Sequence, residues 1–237
     1  MFEDALRYPT SGDDALETIA IGGILGLLGF LILPVFLVYG YLVRVIRAVS
    51  RGDDETPPTF DDWGELLVDG VEGFVIVLVY TVVPALVLAI AVAPLVLISS
   101  VTVSSVGAGD GSGAGGVLTA VILLVVFVVT ALALVALLAA IYLVPAAVTA
   151  FATTDRLGAA FSVTELRRIG ASGQFLTGWL IAIAISVLVG FVAGLAAATV
   201  LGILLVPFVN FFGNVAAAYA LGAGVRDPTG TGANPEK

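Results

Sequence analysis

The sequence contains no cysteine and no histidine, and only one methionine and one lysine, Lys237. Without these residues the chain has no thiolate or imidazole ligand, no Ser-His-Asp triad, no thiol nucleophile and no disulfide. Charged residues make up 11% of the chain, against about a quarter of an ordinary soluble domain. These scarcities exclude a soluble globular enzyme and a nucleic-acid binder, and we predict no catalytic residue, no cofactor and no metal site.

What the chain does contain is long apolar runs: 60% of its 237 residues are hydrophobic. A membrane-spanning helix needs about 20 mostly apolar residues, and five runs that lack any charged residue meet this length. They predict an all-α, multi-span transmembrane bundle rather than a barrel, whose strands would alternate polar and apolar residues. The predicted spans are residues 19–43, 74–98, 117–143, 175–197 and 199–221.

The arginines predict how these spans are oriented. Eight of the nine basic residues follow the first, third and fifth spans, and only Arg7 precedes the first. Because basic residues concentrate in cytosolic loops, we predict that the N-terminal tail, residues 1–18, lies outside the cell membrane. The single transmembrane domain is then residues 19–225, followed by a cytosolic, disordered tail of residues 226–237.

Acidic residues outnumber basic ones by 18 to 9, and all basic residues but one are arginine. This balance favours a halophilic, high-salt cytoplasm, in which ions screen the repulsion between like charges. A mesophilic protein with an acidic loop is the alternative.

Two cytosolic connections have the pattern of short interfacial helices, here called elbows. The first elbow has apolar residues on one helical face and acids on the rest, with an Asp-x-x-Glu capping pattern at its start. The second elbow carries a Ser-x-x-Glu capping box followed by two arginines that are available to lipid headgroups. The residues that we single out are Phe60, Asp61, Asp62, Trp63, Glu65 and Asp69 in the first elbow, and Ser162, Glu165, Arg167 and Arg168 in the second.

Within the predicted fifth span, Asn210 and Asn214 are four residues apart and therefore share a helix face. Polar pairs in spans either mark a substrate path or form hydrogen bonds to a neighbouring helix. Small residues at Gly22 and Gly26, and at Gly190 and Gly194, predict close helix packing, within the chain or between copies.

The block from Pro34 to Val45, together with the block from Pro58 to Gly70, resembles the archaeal membrane family called domain of unknown function 4013. The segment from Ala160 to Ile169 is also similar to that family. The resemblance implies a multi-pass membrane protein of archaea, often of halophiles, and carries no established activity.

The sequence therefore predicts a non-enzymatic integral membrane protein that organises the membrane or scaffolds a partner. Its partners would be membrane lipids and either another protein or further copies of itself, with no role for nucleic acid. The alternative is a transporter or permease subunit for an uncharged or hydrophobic substrate, since no ionisable group lies within a span.

Overall fold

The computed structural model describes residues 1–105 and 114–226, which form helices and no strand. The helices of this described part are α1 (Phe2–Arg7), α2 (Ala15–Leu27), α3 (Leu33–Arg51), α4 (Trp63–Ser105), α5 (Ala114–Thr154), α6 (Val163–Gly170), α7 (Gly173–Ala197) and α8 (Val200–Ala223). Five stretches in them are long and apolar enough to cross a membrane, which confirms the all-α, multi-span prediction. These stretches are Leu33–Arg51, Trp63–Ile90, Ala120–Thr154, Gly173–Ala197 and Val200–Ala223. Of the predicted C-terminal tail, only Arg226 lies within the described residues.

The chain divides into two units. The first comprises Met1–Ile76 and Leu143–Lys237, and the second comprises Val77–Tyr142. In the second unit, large apolar side chains such as those of Ile90 and Phe127 are exposed. A helix that is apolar on all sides suits a lipid environment. All charged side chains described below belong to the first unit.

The prediction of one continuous first span over residues 19–43 is wrong. Helix α2 ends at Leu27, a 3₁₀ turn follows at Gly29–Leu31, and α3 starts at Leu33. Pro34 explains the break, because proline lacks an N–H and its ring clashes with the carbonyl four residues earlier in a continuing helix. Helix α2 has 13 residues, so it is about 20 Å long and too short to cross a bilayer alone.

Because of this break, α2 and α3 form a hairpin, which brings the N-terminal segment close to the C-terminal end of α8. The ring of Tyr8 lies 4.7 Å from that of Tyr219, near the C-terminal end of α8. The Tyr8 hydroxyl also donates a hydrogen bond of 3.2 Å to the Thr56 carbonyl, just after α3. Burial, and secondly the nearby Asp53, raise the pKa of Tyr8 above its usual value, so the hydroxyl remains a donor. The N-terminal segment therefore packs at the same end of the first unit as the C-terminal end of α8.

Glycines allow the helices of the first unit to approach closely. Helices α3 and α4 cross at Gly40 and Gly70, where each glycine faces a backbone carbonyl of the other helix, those of Leu66 and Phe36. Gly22 and Gly23 of α2 face aromatic rings of α8. By contrast, Gly190 and Gly194 of α7 face open space, so the second predicted glycine pair makes no such contact.

The first elbow is not a separate helix, which corrects the prediction. Its residues from Trp63 onward form the first turns of α4. The second elbow contains a short helix of its own, α6, with eight residues. Helices α7 and α8 are separated only at Ala198 and Thr199, within the small-residue stretch of the sequence.

Candidate functional site

The connection between α3 and α4 is held to the bundle by an aromatic cluster. The ring of Phe60 stacks on that of Tyr41 at 4.3 Å and lies 6.0 Å from that of Phe211 in α8. The Trp63 ring also stacks on that of Phe60, at 5.9 Å, and its side chain is exposed. The Tyr41 hydroxyl donates a 2.9 Å hydrogen bond to the Pro58 carbonyl. Phe60 therefore packs against aromatic side chains of α3 and α8, and these contacts hold the start of α4 to the bundle.

At the start of α4, Arg44 organises the acidic residues of the first elbow. Its guanidinium forms an ion pair with Asp61 and a second, at 3.4 Å, with Glu65. Asp62 accepts a hydrogen bond of 3.2 Å from the Glu65 backbone N–H, as the capping pattern predicts. Asp61 and Glu65 are largely exposed, whereas Arg44 itself is only 14% exposed.

One turn further along α3, Arg47 forms a buried ion pair with Asp69. Two N–H groups of Arg47 point at the two Asp69 oxygens, at 2.6 and 3.2 Å. The two side chains are only 12% and 10% exposed. Asp155, after α5, lies 2.5 Å from Arg47 Nε and 2.7 Å from Arg51. Asp69 is thus buried, unlike Asp61 and Glu65 of the same elbow.

The second elbow has the predicted cap. The Ser162 hydroxyl oxygen accepts a 3.5 Å hydrogen bond from the Glu165 backbone N–H at the start of α6. The Glu165 carboxylate pairs with Arg168 at 2.9 Å rather than with the backbone of Ser162. Arg167, the neighbour of Arg168, is exposed.

The structure places Asn210 and Asn214 on an exposed face of α8. The inner face of the same helix is filled by Phe211, whose ring packs over Gly22. Among the described residues, neither asparagine has a hydrogen-bond partner. At a rise of 1.5 Å per residue, Asn210 and Asn214 lie about 20 and 14 Å from the C-terminal end of α8. Both distances are smaller than the thickness of the hydrocarbon core of a bilayer.

The first unit thus gathers charges at one end and leaves a polar pair on a lateral face. All eight arginines of the chain lie at this charged end, including Arg7, since the N-terminal segment packs there. Sequence reasoning missed the partners of the α3 arginines. A signal was present, because Arg44, Arg47 and Arg51 repeat at helical spacing, as do the acids at 61, 65 and 69.

A family model described as "Protein of unknown function (DUF4013)" matches residues 24–198, nearly three quarters of the chain. No curated protein and no solved structure gives a significant match. The matched range includes the end of α2, all of α3, Phe60, the ion pairs between α3 and the start of α4, and both elbows. The chain therefore belongs to the DUF4013 family.

Proposed function

We propose that this chain is a non-enzymatic protein of the cell membrane that organises the membrane by associating with a second copy of itself. The observation that carries the proposal is the exposure of Asn210 and Asn214 on a membrane-length helix. An amide that faces lipid has no hydrogen-bond partner, and burying it unpaired costs free energy. A neighbouring helix that supplies donors and acceptors removes this cost. Each such hydrogen bond stabilises the association of the helices by about 1 kcal/mol or less.

A second copy is the partner that fits this face best. An amide both donates and accepts hydrogen bonds, so the same pair on two chains is self-complementary. A two-fold axis beside α8 brings Asn210 and Asn214 of each chain together, as in other isologous interfaces. A different membrane protein with a polar helix is the alternative partner that the experiment below distinguishes.

The transporter alternative needs a polar path through the bundle. At the level of the asparagines, however, the inner face of α8 carries Phe208 and Phe211 against the glycines of α2. The asparagines point away from that contact. The geometry therefore favours lateral association over a path through the first unit.

Because the chain has no cysteine, single cysteines test the association directly. We expect Ile203→Cys, near the asparagine face of α8, to form a disulfide-linked dimer when membranes are oxidised. Leu205→Cys is the matched control, since residue 205 lies about 160° around the helix and is similarly exposed, 57% against 55%. Adding Asn210→Ala and Asn214→Ala should reduce the Ile203→Cys dimer several-fold on a non-reducing gel.

Equal crosslinking at positions 203 and 205 would contradict the proposed face. A crosslinked band of another mass at position 203 alone would replace the second copy by a different partner. If Ile203→Cys gives no crosslink at all in cell membranes, the association through this face does not occur.

We also infer that the charged end of the first unit faces the cytosol, because arginines concentrate on that side. Both the N-terminal segment and the α3–α4 connection then lie inside. We expect single cysteines at Asp13 and Glu55 to resist a membrane-impermeant maleimide in intact cells and to react after lysis. Both positions are exposed in the structure.

The control for this labelling is Asp110→Cys, in the connection that the sequence predicts on the opposite side. It should react in intact cells. Labelling at residue 13 but not at 55 would contradict the shared end, whereas labelling of both in intact cells would reverse the orientation.

A further inference from the structure

A cavity of about 500 Å³ opens at the charged end, where α3 and α8 finish and α7 starts. Three of its lining residues are arginines from three separate segments: Arg51, Arg168 and Arg226. Ser172 and Gln174, at the start of α7, add polar groups. No carboxylate lines this cavity among the described residues. It therefore differs from the rest of the charged end, which is rich in acids.

The arginines keep donors for a ligand although each also has an acidic partner. Arg51 contacts Asp155 at 2.7 Å through one terminal nitrogen. Arg168 contacts Glu165 through Nε, which leaves both of its terminal NH₂ groups. Arg226 pairs with Asp54 through one terminal nitrogen. Each pair thus orients a guanidinium from outside the cavity and leaves further N–H groups available.

The start of α7 provides a second source of positive potential. The first N–H groups of a helix have no partner within it, and the helix dipole adds a partial positive charge there. The Ser172 hydroxyl oxygen caps this end by accepting from the Phe175 N–H at 3.1 Å, so its own proton is available to donate. Gly173 faces open space, which leaves the backbone accessible.

The geometry points to a binding site for a phosphate group in this cavity. Arginine side chains match phosphate oxygens in shape and charge, and a helix N-terminus is suited to the same anion. The site lies where α7 and α8 leave the apolar region, the depth of a lipid headgroup. Exposed Leu176 and Leu180 also lie near the start of α7, so apolar surface for acyl chains is present on the helix that begins at this site. The phosphate therefore belongs either to an anionic phospholipid or to a small soluble ion, and the experiment separates these sources.

Arg168 and Arg167 form a matched pair for the test. Both are exposed arginines on α6, but only Arg168 lines the cavity. The full-length protein is purified in dodecyl maltoside and stripped of lipid. It then receives phosphatidylglycerol, a phosphate-free galactosyl diacylglycerol, or inorganic phosphate. Binding is measured by native mass spectrometry for the lipids and by the shift in thermal unfolding for the ion, across a salt series.

We expect the wild-type protein to retain phosphatidylglycerol in preference to the galactolipid. Arg168→Gln should weaken binding about tenfold, because a hydrogen bond to a charged group is lost. Arg167→Gln should change it less than about twofold. If inorganic phosphate instead raises the thermal stability of the wild-type protein, and Arg168→Gln abolishes this effect, the ligand is a soluble ion.

Equal weakening by Arg168→Gln and Arg167→Gln would overturn the site, since general electrostatic attraction would then explain binding. The site would also be overturned if the wild-type protein bound phosphatidylglycerol no better than the galactolipid and was not stabilised by inorganic phosphate. These outcomes do not depend on α8 association, because positions 203 and 210 lie outside the cavity.

Discussion

Replacing Gly70 with alanine is expected to destabilise the first unit by about 3 kcal/mol. A Cβ at this position would overlap the backbone carbonyl of Phe36 across the α3–α4 crossing. A backbone carbonyl cannot move aside as a side chain can, so the two helices must separate. Their separation would weaken the Arg47–Asp69 ion pair, which lies beside the crossing. Titration with SDS, followed by the fluorescence of the two tryptophans, measures the loss.

Gly194→Ala is the matched control for Gly70→Ala. Gly194 also lies within a long apolar helix, but a Cβ there meets no atom within 4 Å. Alanine should leave the stability unchanged or raise it by up to about 1 kcal/mol, through its higher helix propensity. If both substitutions have the same small effect, the α3–α4 crossing is not as close as the structure places it.

The contrast between these two glycines shows what a single sequence could predict about packing. Gly190 and Gly194 have the spacing of a packing motif yet face open space, whereas Gly40 and Gly70 lie 30 residues apart in sequence and meet face to face. Spacing along one helix identifies a smooth face but not the helix that covers it. The partner depends on how the hairpins fold back, which local pattern does not determine.

The first span shows the same limit for topology. Length and hydropathy correctly predicted five apolar helices, because these properties are local. Pro34 falls within the first predicted span, where a kink and a hairpin share the same local signal. What decides between them is the packing of α2 on α8 through Gly22 and Phe211, a tertiary contact.

The charged residues were predicted in position but not in environment. The caps at Asp62 and Ser162 depend on neighbours three residues away, so the sequence could reveal them. The burial of Asp69 depends on Arg47, 22 residues earlier, and on Asp155, which comes after α5. Only the folded bundle brings these three segments to one end.

Asp69→Ala is the second change with a large expected effect, a loss of about 3 kcal/mol in the free energy of unfolding. Removing the carboxylate leaves the buried Arg47 guanidinium with Asp155 as its remaining partner. Because Asp155 is half exposed, it compensates only in part. Asp61→Ala is the control, since Asp61 is largely exposed and Arg44 keeps Glu65 as a partner, so the loss should be less than about 1 kcal/mol.

The double variant Arg47→Met and Asp69→Leu separates the cost of an unpaired charge from the value of the pair itself. Replacing both partners of a buried pair by apolar residues of similar size is often neutral. The double variant should therefore be more stable than Asp69→Ala alone. If it is instead less stable, the pair contributes through its bond to Asp155 and the geometry of the whole charged end. Equal losses in Asp61→Ala and Asp69→Ala would show that Asp69 is solvated after all.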